Sequence, residues 1–295
     1  MSKRKLIILV LLLLLLSVVI LKLTVRPPQS EEIVPEVIPE EIIVAPTSTT
    51  AVIGKSVENR AIETYTFGTG STSLLFVGGM HGGYEWNSIL LAYEMIDYLN
   101  TNPEIIPSNI TVHIIPNLNP DGLYAATGLI GKFVATDITN NDMHSSGLGR
   151  MNAHTVDLNR NFDCKWAPES SWRNKTVSAG SAAFSEPEAQ ALRDYVILTQ
   201  PQGVVFWHSL ANNVYASECK DGVLPQTLTL MNTYSRATSY GAVPVFDAYP
   251  ITGDAEGWLA SINIPAVTVE LGSRTSIEWT QNLAGLKAVL NLYSK

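Results

Sequence analysis

Leu74-Leu75-Phe76-Val77-Gly78-Gly79-Met80-His81-Gly82-Gly83-Tyr84-Glu85-Trp86 sets a short apolar run against two glycine pairs, a histidine and a carboxylate. The run at 74–77 is too short for a helix and stops at glycine, so it reads as a buried strand. Three further runs, 110–115, 204–207 and 266–271, have the same character. Helical patterns lie between them. Trp86, Ile89, Leu90, Tyr93 and Ile96 share one face before the breaker Asn102-Pro103. A second helix is predicted to open at Ser185-Glu186-Pro187-Glu188, with a hydroxyl cap and acids in the first turn, and to continue through Ala189, Leu192, Val196 and Thr199. A last helix is predicted from about 276 to 292. Apolar strands alternating with helices imply a mostly parallel or mixed sheet covered on both faces. The stretch 119–182 is rich in Gly, Asn, Asp and Ser and keeps no sustained period; long loops in compact domains are usually functional.

Composition narrows the class. The chain has 295 residues, 46% apolar and 16% charged, which excludes disordered and collagen-like proteins. Its formal charge of −8 argues against nucleic acid, whose phosphates need a basic face. Residues 1–50 are neutral in sum, so the charge sits on 51–295. Two cysteines are too few for a disulfide scaffold, and no internal repeat is visible. Lys3-Arg4-Lys5 precedes sixteen residues, 6–21, broken only by Ser17. This reads as an uncleaved signal anchor over 1–26, with a cleaved signal peptide as the alternative. The expected location is therefore membrane-anchored and extracytoplasmic, or secreted if the segment is removed. Prolines 27, 28, 35, 39 and 46, interleaved with glutamates, predict an extended stalk over 27–50. The catalytic domain is expected over 51–295.

Four polar groups stand out at strand ends and in the long loop. His81 and Glu85 follow the first strand, and Trp207-His208-Ser209 ends another. Glu270 sits inside the apolar run Val269-Glu270-Leu271, where an ionised carboxylate needs a partner. Val156-Asp157-Leu158-Asn159-Arg160-Asn161-Phe162 is a dense polar run. A lone His-x3-Glu is weak, but the motifs occur together and in order. With Asn119-Pro120-Asp121-Gly122, they resemble the carboxypeptidase A/B-like zinc metallopeptidase family from roughly Gly78 to Gly272.

The resemblance implies a three-layer α/β/α fold around a mixed, mostly eight-stranded sheet. It implies one Zn2+ per chain held by His81, Glu85 and His208, with a fourth position open for water. Glu270 would be the general base toward a zinc-activated water, and Arg150 would stabilise the oxyanion, a task open also to Arg160 or Arg173. Asn159 and Arg160 would grip a terminal carboxylate, and Asp157 would accept the second ring N–H of His81. Tyr249 resembles the family's mobile substrate-binding tyrosine. Glu256, or equally Asp254, falls near the position that sets side-chain preference, and an acid there suggests a basic or amine-bearing leaving residue. Cys164 and Cys219, near one site in an oxidising compartment, would form a disulfide; the alternative is two free buried thiols.

One departure matters. The family usually keeps two residues between its first His and the Glu, whereas here there are three, Gly82, Gly83 and Tyr84. Two glycines can absorb the extra residue. The family's arginine before that Glu is Tyr84, so one substrate contact is lost or replaced. His113 reads as a packed core histidine, and His144 and His154 receive no role. Neither Gly-x-Ser-x-Gly nor His-Glu-x-x-His is present. The first reading is a zinc carboxypeptidase acting on peptides with a free C-terminus. The alternatives are a cell-wall peptide amidase or endopeptidase of the same family, and an anchored binding module without activity.

Overall fold

The computed structural model describes residues 2–24, 48–139, 143–173 and 175–295. Two units are distinguished, 1–44 and 45–295. In the first, helix α1 (Lys3–Thr24) has 22 residues. Among the described residues no helix is long and apolar enough to cross a membrane. The signal anchor, the membrane partnership and the membrane-anchored location expected from the sequence are therefore corrected. The physical reason is length: Lys3, Arg4, Lys5 and Lys22 leave sixteen uncharged residues. At 1.5 Å per residue that is about 24 Å, short of a hydrocarbon core of about 30 Å. Residues 27–47 of the expected stalk lie outside the described residues. Its last positions, Thr49 and Thr50, belong to the first strand rather than to a spacer.

The second unit is built on β1 (Thr49–Lys55), β2 (Ala61–Phe67), β3 (Thr72–Val77), β4 (Ile110–Ile115), β5 (Glu169–Trp172), β6 (Lys175–Ser178), β7 (Gly203–Ser209), β8 (Asn213–Ala216), β9 (Glu218–Cys219), β10 (Gly222–Val223), β11 (Gly241–Val243) and β12 (Ala266–Leu271). Its helices are α2 (Trp86–Thr101), α3 (Pro120–Thr127), α4 (Met143–Ser146), α5 (Pro187–Thr199), α6 (Pro225–Thr238), α7 (Ala255–Ser261) and α8 (Trp279–Tyr293). Eight strands form one sheet in the order β1-β2-β4-β3-β7-β12-β8-β11. β3 pairs in parallel with β4 and β7, and β7 with β12, while β1, β2 and the β12–β8 pair run antiparallel. The sheet is thus mixed, with a parallel centre.

Alternation along the central strands sorts the core into two layers. Val205 and Trp207 of β7 and Val267 and Val269 of β12 pack with α2, α6 and α8. Val204 and Phe206, with Ala266, pack instead with Ala189, Leu192 and Val196 of α5 and Trp258 and Leu259 of α7. Strand residues two apart share a face. His208, after Val204 and Phe206, and Glu270, after Ala266 and Thr268, therefore point to the α5/α7 side. They are direct register partners across β7 and β12.

Two local expectations are corrected. Helix α5 begins at Pro187 with Glu186 as its N-cap and no side-chain cap bond. The Ser185 hydroxyl, expected as the cap, donates to Glu186 Oε1 at 2.8 Å and receives Asn161 Nδ2 at 2.9 Å. The stretch 119–182 is not one loop: it contains α3, α4 and the β5–β6 hairpin.

Candidate active site and metal centre

Each candidate ligand is delivered by a strand end or the turn after it. Beyond β3, Gly82 N donates to Gly79 O at 3.0 Å and Tyr84 N to His81 O at 3.0 Å. A 3-10 turn, Gly82–Glu85, follows and runs directly into α2. It spans the three residues between the two side chains and brings Glu85 back onto His81. Gly82 adopts φ +43° there, a conformation that favours glycine.

His81, Glu85 and His208 converge as the one such group among the described residues. His81 Nδ1 lies 3.0 Å from Glu85 Oε1, and His208 Nδ1 lies 2.9 Å from Glu85 Oε2. The two Nδ1 atoms are 3.1 Å apart. Donors about 2.0 Å from a tetrahedral zinc stand roughly 3.3 Å from one another, so this trio fits such an ion. Two imidazoles and one carboxylate are also the donor set that leaves a zinc position free. All three residues are buried. Burial alone would raise the Glu85 carboxyl; His81 and His208 beside it hold it well below the usual carboxylate range.

Carboxylates stand behind both histidines, without hydrogen-bond contact. Asp157 Oδ1 is 3.5 Å from His81 Nε2, and Glu256 Oε1 is 3.7 Å from His208 Nε2. Among the described residues neither Nε2 has a hydrogen-bond partner. The expected Asp157–His81 hydrogen bond is thus corrected to a facing pair. The reason is competition: the Asn159 N–H donates to Asp157 Oδ1 at 3.2 Å, while Arg150 Nε and Nη2 both donate to Oδ2, at 3.0 and 2.8 Å. Burial opposes ionisation of Asp157, and Arg150, together with His81 and Arg160, more than offsets it, holding the group well below the carboxylate range.

These residues open onto a cavity of about 600 Å³. Glu270 lines it, with Oε2 buried and unpartnered among the described residues. Burial, reinforced by the charge of Glu85, pushes the Glu270 carboxyl up to about 7; His208, Arg150 and Arg274 oppose the rise. Arg150 stacks on Trp172 at 4.7 Å, and its Nη1 is 3.8 Å from Glu85 Oε1. Asn159 Oδ1 accepts from Ala255 N at 2.9 Å. Arg160 donates to the carbonyls of Asn159 and Ser171 at 2.6 and 3.1 Å, leaving Nε buried and unpaired among the described residues.

Of the two acids weighed for side-chain preference, Asp254 caps α7 by accepting from Gly257 N at 2.8 Å. Its carboxyl is pushed up to about 6 by burial and by Glu256. Glu256 is 3% exposed and accepts from Thr268 Oγ1 at 2.7 Å, so it sits deeper in the cavity. Tyr249 lines the wall, packed edge-on against Phe246 at 4.9 Å. Cys164 and Cys219 are joined in a disulfide that ties the Asn159–Arg160 loop to β9. His113 is a core histidine held by Tyr195 Oη at 2.8 Å and Thr66 Oγ1 at 3.1 Å.

Sequence reasoning overlooked Trp172, Thr268 and Arg274, which all line the cavity. None carries a motif. The one available signal was the loss of the family's arginine at Tyr84, because the Arg274 guanidinium lies 4.5 Å over the Tyr84 ring.

The chain is similar to known proteins in sequence and in fold. The chain is 27% identical over 246 residues to gamma-D-glutamyl-L-diamino acid endopeptidase 1 of Lysinibacillus sphaericus, covering 76% of this chain and 60% of that protein. It is 25% identical over 228 residues to murein peptide amidase A of Escherichia coli K12, covering 74% of this chain and 78% of the relative. Human carboxypeptidase D is 29% identical over 37% of this chain, which spans only 8% of that protein's length. Among solved folds, murein-tripeptide amidase MpaA from Escherichia coli O157 superposes with a TM-score of 0.60 at 22% identity, over 83% of this chain and 93% of the other. Bovine thrombin-activatable fibrinolysis inhibitor gives 0.65 at 17% identity, over 83% and 90%. The sequence profile described as zinc carboxypeptidase matches residues 45–281, from before β1 to the start of α8 and through every candidate ligand, so this chain belongs to the zinc carboxypeptidase family.

Proposed function

We propose that this protein hydrolyses the amide bond to a C-terminal diamino acid, as in cell-wall peptides. This is the second of the two hydrolase readings, and it keeps the first one's requirement for a free terminal carboxylate. The observation that carries it is the charge layout of the inner cavity: Arg160 and Asn159 lie beside two acids, Asp254 and Glu256, on adjoining α7. A residue with a carboxylate and an additional amine satisfies both signs, whereas an apolar leaving residue would strand buried acids. The names of the Lysinibacillus and Escherichia relatives point the same way.

His81, Glu85 and His208 would hold the zinc. When bound, zinc polarises a carbonyl and lowers the pKa of water. Glu270 takes up a proton at its unpartnered Oε2 and returns it to the leaving amine. Arg150 is fixed by Asp157 and Trp172 before substrate arrives, so its remaining Nη1 meets developing negative charge without reorganising. Arg160 and Asn159 orient the terminal carboxylate, a task suited to guanidinium's forked donors.

The test is a panel of peptides ending in a diamino acid, lysine or leucine, each with a free or amidated C-terminus. The diamino acid with free carboxylate should be cleaved fastest, and amidation should abolish cleavage. Metal analysis should find about one zinc per chain. Glu270→Gln should retain that zinc and lose turnover; a fully active Glu270→Gln protein would refute the assignment.

A further inference from the structure

Arg274 lines the cavity from the segment just after β12. It stacks on Tyr84 and donates Nη1 to Ser209 O at 3.3 Å. No carboxylate within ion-pair distance is found for it among the described residues. A half-buried guanidinium with several free donors facing a cavity is a site waiting for an anion. The residue beneath it is polar as well: Tyr84 is 1% exposed, and its hydroxyl has no hydrogen-bond partner among the described residues.

The path of β12 fixes the side on which that anion would lie. Thr268, Glu270 and Arg274 follow one another along the chain, and Thr268 and Glu270 share one face of the strand. Thr268 holds Glu256, on the leaving-group side of the base. Arg274 lies beyond Glu270 in the opposite direction, over the last residue of β7, Ser209. The acids and this cation therefore flank the candidate base from opposite sides.

We infer that Arg274, stacked on Tyr84, binds a free carboxylate on the acyl residue of the substrate, and so selects acyl residues that carry one. A glutamyl residue linked through its γ-carboxyl keeps a free α-carboxylate three carbons from the reacting carbonyl, and one linked through its α-carboxyl keeps its γ-carboxylate at the same spacing, whereas a neutral acyl residue offers no anion there. The inference rests on the function proposed above and adds the second half of the substrate. It also identifies what takes the place of the arginine missing at position 84: a guanidinium from another segment, carried on the tyrosine that replaced it.

The test uses zinc-loaded wild type, Arg274→Gln and Arg274→Lys. The substrates are an acetylated γ-D-glutamyl–diamino acid with its α-carboxyl free, and the same compound as the α-amide. A charge-assisted hydrogen bond of ordinary strength predicts that wild type prefers the free acid by about 10- to 100-fold in kcat/KM. Arg274→Gln should lose that preference by slowing only on the acid, and Arg274→Lys should keep part of it. Calorimetric titration of both compounds into Glu270→Gln protein, with and without Arg274→Gln, should give the same ratio in Kd. An arginine that merely braces Tyr84 and Ser209 would lower both substrates together, and an unchanged ratio in Arg274→Gln overturns the inference. If neither γ-linked compound is cleaved while an α-linked peptide ending in lysine is, the function proposed above fails. Glu and Gln placed just before the scissile bond of that peptide then repeat the comparison, and a ratio independent of Arg274 overturns the subsite.

Discussion

Replacing Gly82 by alanine tests how a three-residue spacer can still bring Glu85 onto His81. A Cβ at Gly82 would stand 2.7 Å from Leu123 N and 2.8 Å from both Asn119 O and Gly122 C. All three are backbone atoms of the first turn of α3, which the Asn119 side chain caps by accepting from Gly122 N at 2.8 Å. They cannot move aside as the tip of a flexible side chain could. A left-handed conformation costs a non-glycine residue roughly 1–2 kcal/mol, and crowding in a packed site costs about 1–3 kcal/mol more. Gly82→Ala should therefore destabilise by about 2–5 kcal/mol, a large fraction of a typical domain's stability. Gly128 is the internal control, since its φ is +73° with nothing within 4 Å of the added Cβ. Gly128→Ala should cost only the conformational part, about 1–2 kcal/mol. The two variants should also differ at the metal. The turn displaced in Gly82→Ala carries Glu85, so zinc affinity should fall by about 10- to 100-fold, as when groups that orient a ligand are disturbed. Urea unfolding and zinc competition against a chelator measure both quantities. If Gly82→Ala matched Gly128→Ala in stability and in zinc affinity, the turn would not be what sets the ligand spacing.

The other predictions concern stability. The Cys164–Cys219 disulfide closes a separation of 55 residues, which by loop-closure entropy restrains the unfolded chain by about 4 kcal/mol. A Cys164→Ser/Cys219→Ser protein should lose roughly that amount in urea unfolding; a loss below about 1 kcal/mol would mean the unfolded chain is already restrained there. Burial lowers His113 to about 4 from an ordinary 6.5. Its folded pKa is depressed, so the unfolded chain binds the extra proton first: the contribution is complete above 6.5 and lost as pH falls toward 4. That window amounts to about 3 kcal/mol. His113→Gln should flatten the stability profile between those pH values relative to wild type, and parallel profiles would contradict the assignment.

The sequence was legible where burial is two-sided. β3, β7 and β12 are apolar on both faces because helices cover both, so each reads as an uninterrupted run, and a histidine or glutamate at its end is conspicuous. The β5–β6 hairpin, Glu-Ser-Ser-Trp against Lys-Thr-Val-Ser, is half-exposed and polar, so neither period nor composition betrays it. Helix α6 was missed for a related reason: Thr227, Ser235 and Thr238 dilute its buried face. Ser185 looked like a cap because position and residue type were right. The competing bonds to Asn161 and Glu186 come from tertiary neighbours. Asp157 failed in the same way, since the carboxylate expected to accept from His81 is taken by Arg150 and by the Asn159 N–H. Local pattern gives which groups are present, and the partner each one takes is decided by chain segments far away.

Charge follows the same logic and bears on how substrate is chosen. The chain carries −8 overall, yet the cavity wall holds five arginines or lysines and five carboxylates. At physiological ionic strength, fields are screened over about 8 Å. A doubly charged peptide inside the cavity therefore responds to the wall rather than to the distant acids. Some of that wall is already paired: Lys165 lies 3.5 Å from Glu218, and Arg150 is held by Asp157. An exposed pair such as Lys165–Glu218 costs substrate binding little and adds little to it. The discriminating groups are those left over, the acids of α7 on one side of Glu270 and Arg274 on the other. Selectivity should then change with substitutions at these few positions and stay flat when surface acids are neutralised.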